Sequence, residues 1–382
     1  MILSKFTHRS WTQFLPFYVL FFATGIATVL DANLLPILTT SPDGADLRLA
    51  TALAVQFGGQ LLGPLMPWRK PSVALTVGCA LTAVSALLMM MVEGRGFYPV
   101  LACYGFGLGI TMASTNVLVG IESDAALRTS RMELLNIFWP LGAAFCSPLL
   151  MVLPLSHTGS LAYALVAGVF LLAMLFFLCR RAAPTFDVEP QGKSRLRAGV
   201  RLLFVALLAL LAIGIESGLA SWLPMFNQRY LASNKLLPLS TVFWVGSITG
   251  RLAAAYFLHG KKTPTWMVRL CVLAYGLFLA MLLLLPATVP IVVFCSFMAS
   301  AAVAPVYPAL LTEAVTMRGN GLIFCAGGFG SALLPWLVGV FSARYHSLRG
   351  GMSLLFAGAV LMFCGAYLEQ SRRRSFSAEE NS

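Results

Sequence analysis

RRAAPTFDVEPQGKSRLRAGVR, residues 180–201, is the longest polar stretch in a 382-residue chain of which 59% is hydrophobic and only 10% charged. Pro184, Asp187, Glu189, Pro190, Gly192 and six basic residues give it the composition of a solvated linker. Outward from it, apolar runs of about 20 residues, the length that crosses a bilayer, fall six on either side. A soluble domain carries roughly 25% charged residues, and no aqueous core would absorb this apolar excess. The fold class this implies is an all-α membrane protein, with twelve transmembrane helices in two six-helix halves.

The expected spans are 14–39, 47–66, 72–92, 98–121, 132–155 and 160–178 before the linker, and 202–226, 236–258, 265–285, 289–315, 321–343 and 350–368 after it. The domains expected are therefore 1–179, the basic linker 180–201, and 202–382 with a short cytoplasmic tail. The first run, Trp11 to about Leu38, is far longer than the roughly 7–15 apolar residues of a signal sequence, so it reads as a retained span. With the N-terminus inside, only Arg48, Arg95, Arg229, Lys235, Arg344 and Arg349 of the 26 Lys and Arg fall outside. The positive-inside rule then places both termini and the linker in the cytoplasm. The bacterial inner membrane is the expected location.

Several function classes drop out here. The net charge of +12 is distributed over loops and tails beside spans rather than gathered on one face, so topology explains it and no nucleic-acid partner is implied. Eight cysteines stand singly in apolar stretches, without the spacing of a zinc site or a disulfide framework. Gly105, Gly107 and Gly109, and likewise Gly327, Gly328 and Gly330, lie inside apolar helices and follow no strand; they read as close helix packing, not as phosphate loops. No cofactor or metal is expected, and no converging nucleophile, base or ligand set points to an enzyme.

Chemistry inside the membrane is concentrated in few residues. An ionisable group at the bilayer centre costs about 2.5–3.5 kcal/mol on the insertion scale, so it marks a partner, a cavity or a function. Two acids qualify, Asp31 in the first span and Glu216 in the seventh. Asp31 shares a helical stripe with Thr24 and Thr28 and either lines a cavity or is solvated near the outer end of its span. Glu216 is the deeper of the two, and no Lys or Arg is expected near the middle of any span to neutralise it; Arg251 counts with the inner segments. Proton coupling by Glu216 or Asp31, hydroxyl binding by Glu216, or a structural hydrogen bond are its open readings.

Neutral polar groups repeat near helical pitch: Gln56 with Gln60, Asn136 with Ser147, and Ser296 with Ser300 and Tyr307. Amides that donate and accept match alternating sugar hydroxyls, or serve as interhelical hydrogen bonds. Trp139, Trp222, Trp244 and Trp336 offer flat apolar faces for a pyranose ring, or belong to interfacial belts. The expected substrate-binding set is Asn116, Asn136, Trp139, Glu216, Trp244, Tyr307, Trp336 and Gln56.

Several segments resemble the fucose and glucose permease branch of the major facilitator superfamily. GFGLGITMASTNVLVGIES followed by RMELLNIFWPLGAAFCSPLL, then GIESGLASWLPMF, FWVGSITGRL, APVYPALL and GGFGSALLPWLVG, are similar to that branch's motifs in order. The resemblance implies the twelve-helix facilitator fold and proton- or sodium-coupled sugar uptake. The chain departs from the pattern in GPLMPWRK, which lacks the acid and second glycine of the usual loop. It departs again at Met112, where the fucose permease pattern has an acid four residues before the position of Asn116. Asp31 falls about one residue from the pattern's acid in the first span.

The resulting expectation is a monomeric secondary transporter taking a monosaccharide or related polyol by cation-coupled alternating access, with the lipid bilayer as its surroundings. An exporter of a sugar or amphipathic metabolite is the alternative within the class. A non-transporting membrane sensor is the alternative from another class.

Overall fold

The computed structural model describes residues 8–38, 44–65, 70–92, 94–123, 128–154, 157–180, 197–231, 238–257, 265–314 and 321–379. Most of the linker, residues 181–196, lies outside these. The described residues form thirteen α-helices: α1 (His8–Leu38), α2 (Ala45–Leu62), α3 (Pro71–Met89), α4 (Phe97–Glu122), α5 (Arg128–Val152), α6 (Thr158–Cys179), α7 (Arg197–Tyr230), α8 (Leu239–Phe257), α9 (Thr265–Leu284), α10 (Val289–Val303), α11 (Val306–Ala314), α12 (Gly321–Tyr345) and α13 (Leu348–Glu379). The tenth expected span is two helices, because the chain turns at Ala304 and Pro305. Proline there has no N–H to donate and its ring crowds the preceding turn.

Among the described residues, ten spans are long and apolar enough to cross a membrane by length and composition alone. The two that fall short are α2, which carries Asp46, Arg48, Gln56 and Gln60, and α8, which carries Arg251. Elsewhere the outward faces are apolar: Met91, Val152, Leu172, Leu203 and Leu284 are all largely exposed. Such surface is stable against lipid, where every backbone group is already satisfied inside a helix.

The chain divides by its contacts into two compact units, residues 1–38 with 55–191, and residues 39–54 with 192–382. The division runs through α2, whose residues 45–54 pack with the second unit. Within each unit glycines set the helix spacing. In the first, a Cβ on Gly142 of α5 would stand 1.9 Å from Phe22 O of α1, and one on Gly105 of α4 would stand 2.0 Å from Gln56 O of α2. In the second, the corresponding approach is Gly330 of α12 on Leu210 O of α7, at 2.1 Å. No side chain fits at these points, so helix backbones touch and carry their neighbouring polar side chains into contact.

Candidate functional site

In the first unit the chemistry gathers around Asp31. Its side chain is completely buried, which corrects the reading of a carboxyl solvated at the outer end of its span. The cover comes from other helices. Tyr163 of α6 donates its hydroxyl to Asp31 Oδ1 at 2.6 Å, and Tyr104 of α4 donates to Ala27 O at 3.0 Å, one turn away on α1. Gln56 of α2 donates Nε2 to Thr28 O at 2.9 Å. The close approach at Gly105 is what brings Tyr104 and Gln56 onto α1 together.

The hydroxyls of the Thr24 and Thr28 stripe turn back onto their own helix, to Phe21 O and Thr24 O, each at 2.7 Å. Their protons are used inside α1 and are not presented to a solute. Two oxygen atoms of the cluster, Asp31 Oδ2 and Gln56 Oε1, are buried without a hydrogen-bond partner among the described residues.

The same unit also holds Asn136, Trp139 and Asn116 of the expected set. Asn136 on α5 is exposed, and Trp139, three residues further along, is half-buried. Asn116 is half-buried and donates Nδ2 to Met112 O at 2.9 Å within α4. Met112 stands where the fucose permease pattern has its acid; its sulfur accepts from Gln60 Nε2 at 3.0 Å.

In the second unit Glu216 has a cation beside it. Arg251 Nη2 lies 3.2 Å from Glu216 Oε1, and Ser247 Oγ donates to the same oxygen at 3.2 Å. The expectation that no Lys or Arg neutralises Glu216 is therefore wrong. Arg251 sits inside α8, seven residues from Trp244 and four from Ser247, so the three share the helix face that meets α7. Glu216 is buried, whereas the Arg251 side chain keeps 27% exposure. Trp244 is buried with its ring 5.1 Å from that of Phe243. Tyr307 is half-buried beside Gly327, where a Cβ would stand 3.2 Å from its ring, and Trp336 is exposed. Trp222 is a packing residue, with Nε1 donated to Pro335 O at 2.9 Å.

A third cluster was not expected at all. Asp46, at the start of α2, is buried and takes both terminal nitrogens of Arg229 on its two oxygens, the Nη1 contact being 3.0 Å. Ser342 of α12 donates to the same carboxylate. All three belong to the second unit.

The family follows from comparison with known proteins. Residues 122–335 match the model of the Major Facilitator Superfamily, and the chain belongs to that superfamily of membrane transporters; it is not an enzyme. It is 25% identical to the glucose/mannose transporter GlcP of Bacillus subtilis (strain 168), over 90% of this chain and 91% of that one. Among solved structures, a peptide transporter POT bound to alafosfalin superposes with a TM-score of 0.76 at 14% identity, covering 96% of each chain. The fucose:proton symporter FucP of E. coli does so with a TM-score of 0.60 at 14% identity, over 94% of this chain and 98% of that one. The chain thus has the major facilitator fold and is a multi-pass integral membrane protein.

Proposed function

We propose that this transporter carries a monosaccharide or related polyol by cation-coupled alternating access, as a monomer in a bacterial inner membrane with both termini cytoplasmic. The observation that supports it most is the similarity to a glucose/mannose transporter along nine-tenths of the chain. The halves 1–179 and 202–382 act as the two repeats, joined by 180–201, as in transporters that hold substrate at the midplane. Asn136 and the free carbonyl oxygen of Asn116 offer the donor and acceptor pairing that sugar hydroxyls need. Trp139, Tyr307, Trp244 and Trp336 offer apolar faces, and Gln56 and Glu216 further polar groups. Asp31, buried without a cation partner among the described residues, is better suited to carry the coupling ion than Glu216, which Arg251 already compensates.

Counterflow of labelled glucose or mannose in proteoliposomes tests this, because exchange needs a transport cycle but no ion gradient. The expected result is saturable counterflow, weakened by Asn136→Ala by the equivalent of about 1–3 kcal/mol, the scale of an unpaired ligand group. Absence of counterflow with monosaccharides and polyols, together with exchange of a labelled peptide or nucleoside, would overturn it.

A further inference from the structure

Glu216 is the central residue of the 29-residue span Leu202–Tyr230, and Arg251 Nη2 reaches it from α8 across 3.2 Å. The ion pair therefore lies near mid-depth in the bilayer. The Arg251 side chain nevertheless keeps 27% exposure. A guanidinium turned to hydrocarbon at that depth is expensive, and ionisable groups inside spans face the bundle or a water-filled space. The faces of α8 decide between lipid and water. Its exposed apolar stripe is Val245, Leu252 and Tyr256, seven and then four residues apart. Arg251 stands on another side of the helix, in line with the buried Trp244 and Ser247. The open part of Arg251 accordingly faces water inside the protein.

The pair is only half used. Glu216 Oε1 accepts from both Arg251 Nη2 and Ser247 Oγ. Glu216 Oε2 accepts nothing among the described residues, and Arg251 Nε and Nη1 donate to nothing there. The neighbouring hydroxyls cannot fill these positions, because Ser247 has given its hydrogen to Oε1 and Tyr275 of α9 gives its own to Ile215 O at 3.0 Å. Arg229 and Asp46 in the same unit make the contrast: there both terminal nitrogens meet both carboxylate oxygens, which leaves no oxygen over. A pair that only held two helices together would gain by the same two-point contact. Glu216 and Arg251 instead keep one acceptor and one terminal donor free on adjoining groups.

We propose that Arg251 is a substrate-binding residue and that it and Glu216 hold two adjacent hydroxyls of the sugar, one donating to Glu216 Oε2 and its neighbour accepting from Arg251 Nη1. This rests on the sugar reading above. A hydroxyl both donates and accepts, so a vicinal diol fits an acceptor beside a donor. A carboxylate on the solute would meet the Glu216 charge and an ammonium the Arg251 charge. The two charges offset each other, and the site thereby selects a neutral polyhydroxylated solute over a sugar acid or an amino sugar.

The test is counterflow of labelled glucose or mannose in proteoliposomes, with the monodeoxy glucoses, glucuronate and glucosamine as unlabelled competitors. The parent is compared with Arg251→Lys, Arg251→Gln and Glu216→Gln, and thermal stability is recorded for each. In the parent, two analogues lacking neighbouring hydroxyls should compete about 10–100-fold more weakly than glucose, the scale of a hydrogen bond to a charged group. Both Arg251 variants should bind glucose more weakly yet show no further penalty for one of these analogues, and Glu216→Gln should do the same for the other, since a bond already absent is not lost twice. Arg251→Lys keeps a charge beside Glu216 and so preserves the comparison where a glutamine variant fails to fold. A pair with a structural role alone lowers stability and weakens glucose and every analogue by one factor. That result, or glucuronate competing better than glucose in the parent, overturns the proposal and leaves the sugar reading in place. A parent that exchanges no monosaccharide or polyol overturns the sugar reading, and this assignment with it.

Discussion

Arg251 Nη2 and Glu216 Oε1 stand 3.2 Å apart between α8 and α7, with Ser247 Oγ on the same carboxylate oxygen. The pair is unequal in its surroundings: Glu216 is 5% exposed and Arg251 27%. Removing the acid alone leaves a half-buried guanidinium without its counter-ion, and removing the base leaves a buried carboxylate. Removing both leaves neither.

We therefore expect Glu216→Gln and Arg251→Gln each to destabilise the transporter, and the double variant to recover part of the loss. The coupling energy should be about 1–3 kcal/mol, less than the 3–5 kcal/mol of a broken, fully buried pair because Arg251 is partly solvated. A double-mutant cycle in an unfolding titration measures it. Strict additivity of the two single effects would show that the contact stabilises nothing. In the transport assay, Glu216→Gln should still accumulate substrate along a pH gradient, whereas Asp31→Asn should exchange substrate without accumulating it.

The topology gives a second expectation. Reporter fusions at Gly192 and Glu379 should both report a cytoplasmic position, because that orientation leaves only six of the 26 basic residues outside. External activity from either fusion would reverse the orientation or require an odd number of spans between them.

The fold was legible because the bilayer demands long apolar runs, and those survive reading one residue at a time. The site was less so. Asp31 is covered by Tyr163, 132 residues away in sequence, and an isolated tyrosine in an apolar span such as 158–179 gives no periodic signal. Tyr104 carried a weak hint, since it precedes Gly105 in a glycine cluster that marks close helix approach. Arg251 could have been found: it lies within the eighth expected span, and a guanidinium there needs a carboxylate nearby. Asp46 was missed because it sits one residue before the second expected span and looks like a loop acid. Its burial is set by Arg229 and Ser342, which no local pattern connects to it.

That cluster supports the last expectation. Asp46 meets Arg229 through two separate contacts and also takes the Ser342 hydroxyl, and two-point Arg–carboxylate pairs are stronger and more exact in geometry than single contacts. The backbone beside it is packed just as closely. A Cβ on Gly339 of α12 would lie 2.3 Å from Ala50 Cβ, 2.7 Å from the Trp222 ring and 2.9 Å from Asp46 O. Residues 45–54 of α2 are thus held to the helices of the second unit by charge at one point and by backbone contact at another. Asp46→Asn keeps the shape of the side chain and loses the charge, so it should weaken the hold without disturbing the packing. Gly339→Ala should do the reverse. We expect Asp46→Asn to cost about 1–3 kcal/mol of stability, with Arg229→Gln adding little once Asp46 is gone. Gly339→Ala should lower stability whether or not Asp46 is present, because Ala50 and the Trp222 ring would have to move. Thermal unfolding of the three single variants, and of Asp46→Asn combined with each of the other two, separates the two contributions. If Asp46→Asn unfolds at the parent's temperature and Arg229→Gln is no milder in its background, the ion pair contributes nothing and backbone contact alone holds α2 in place.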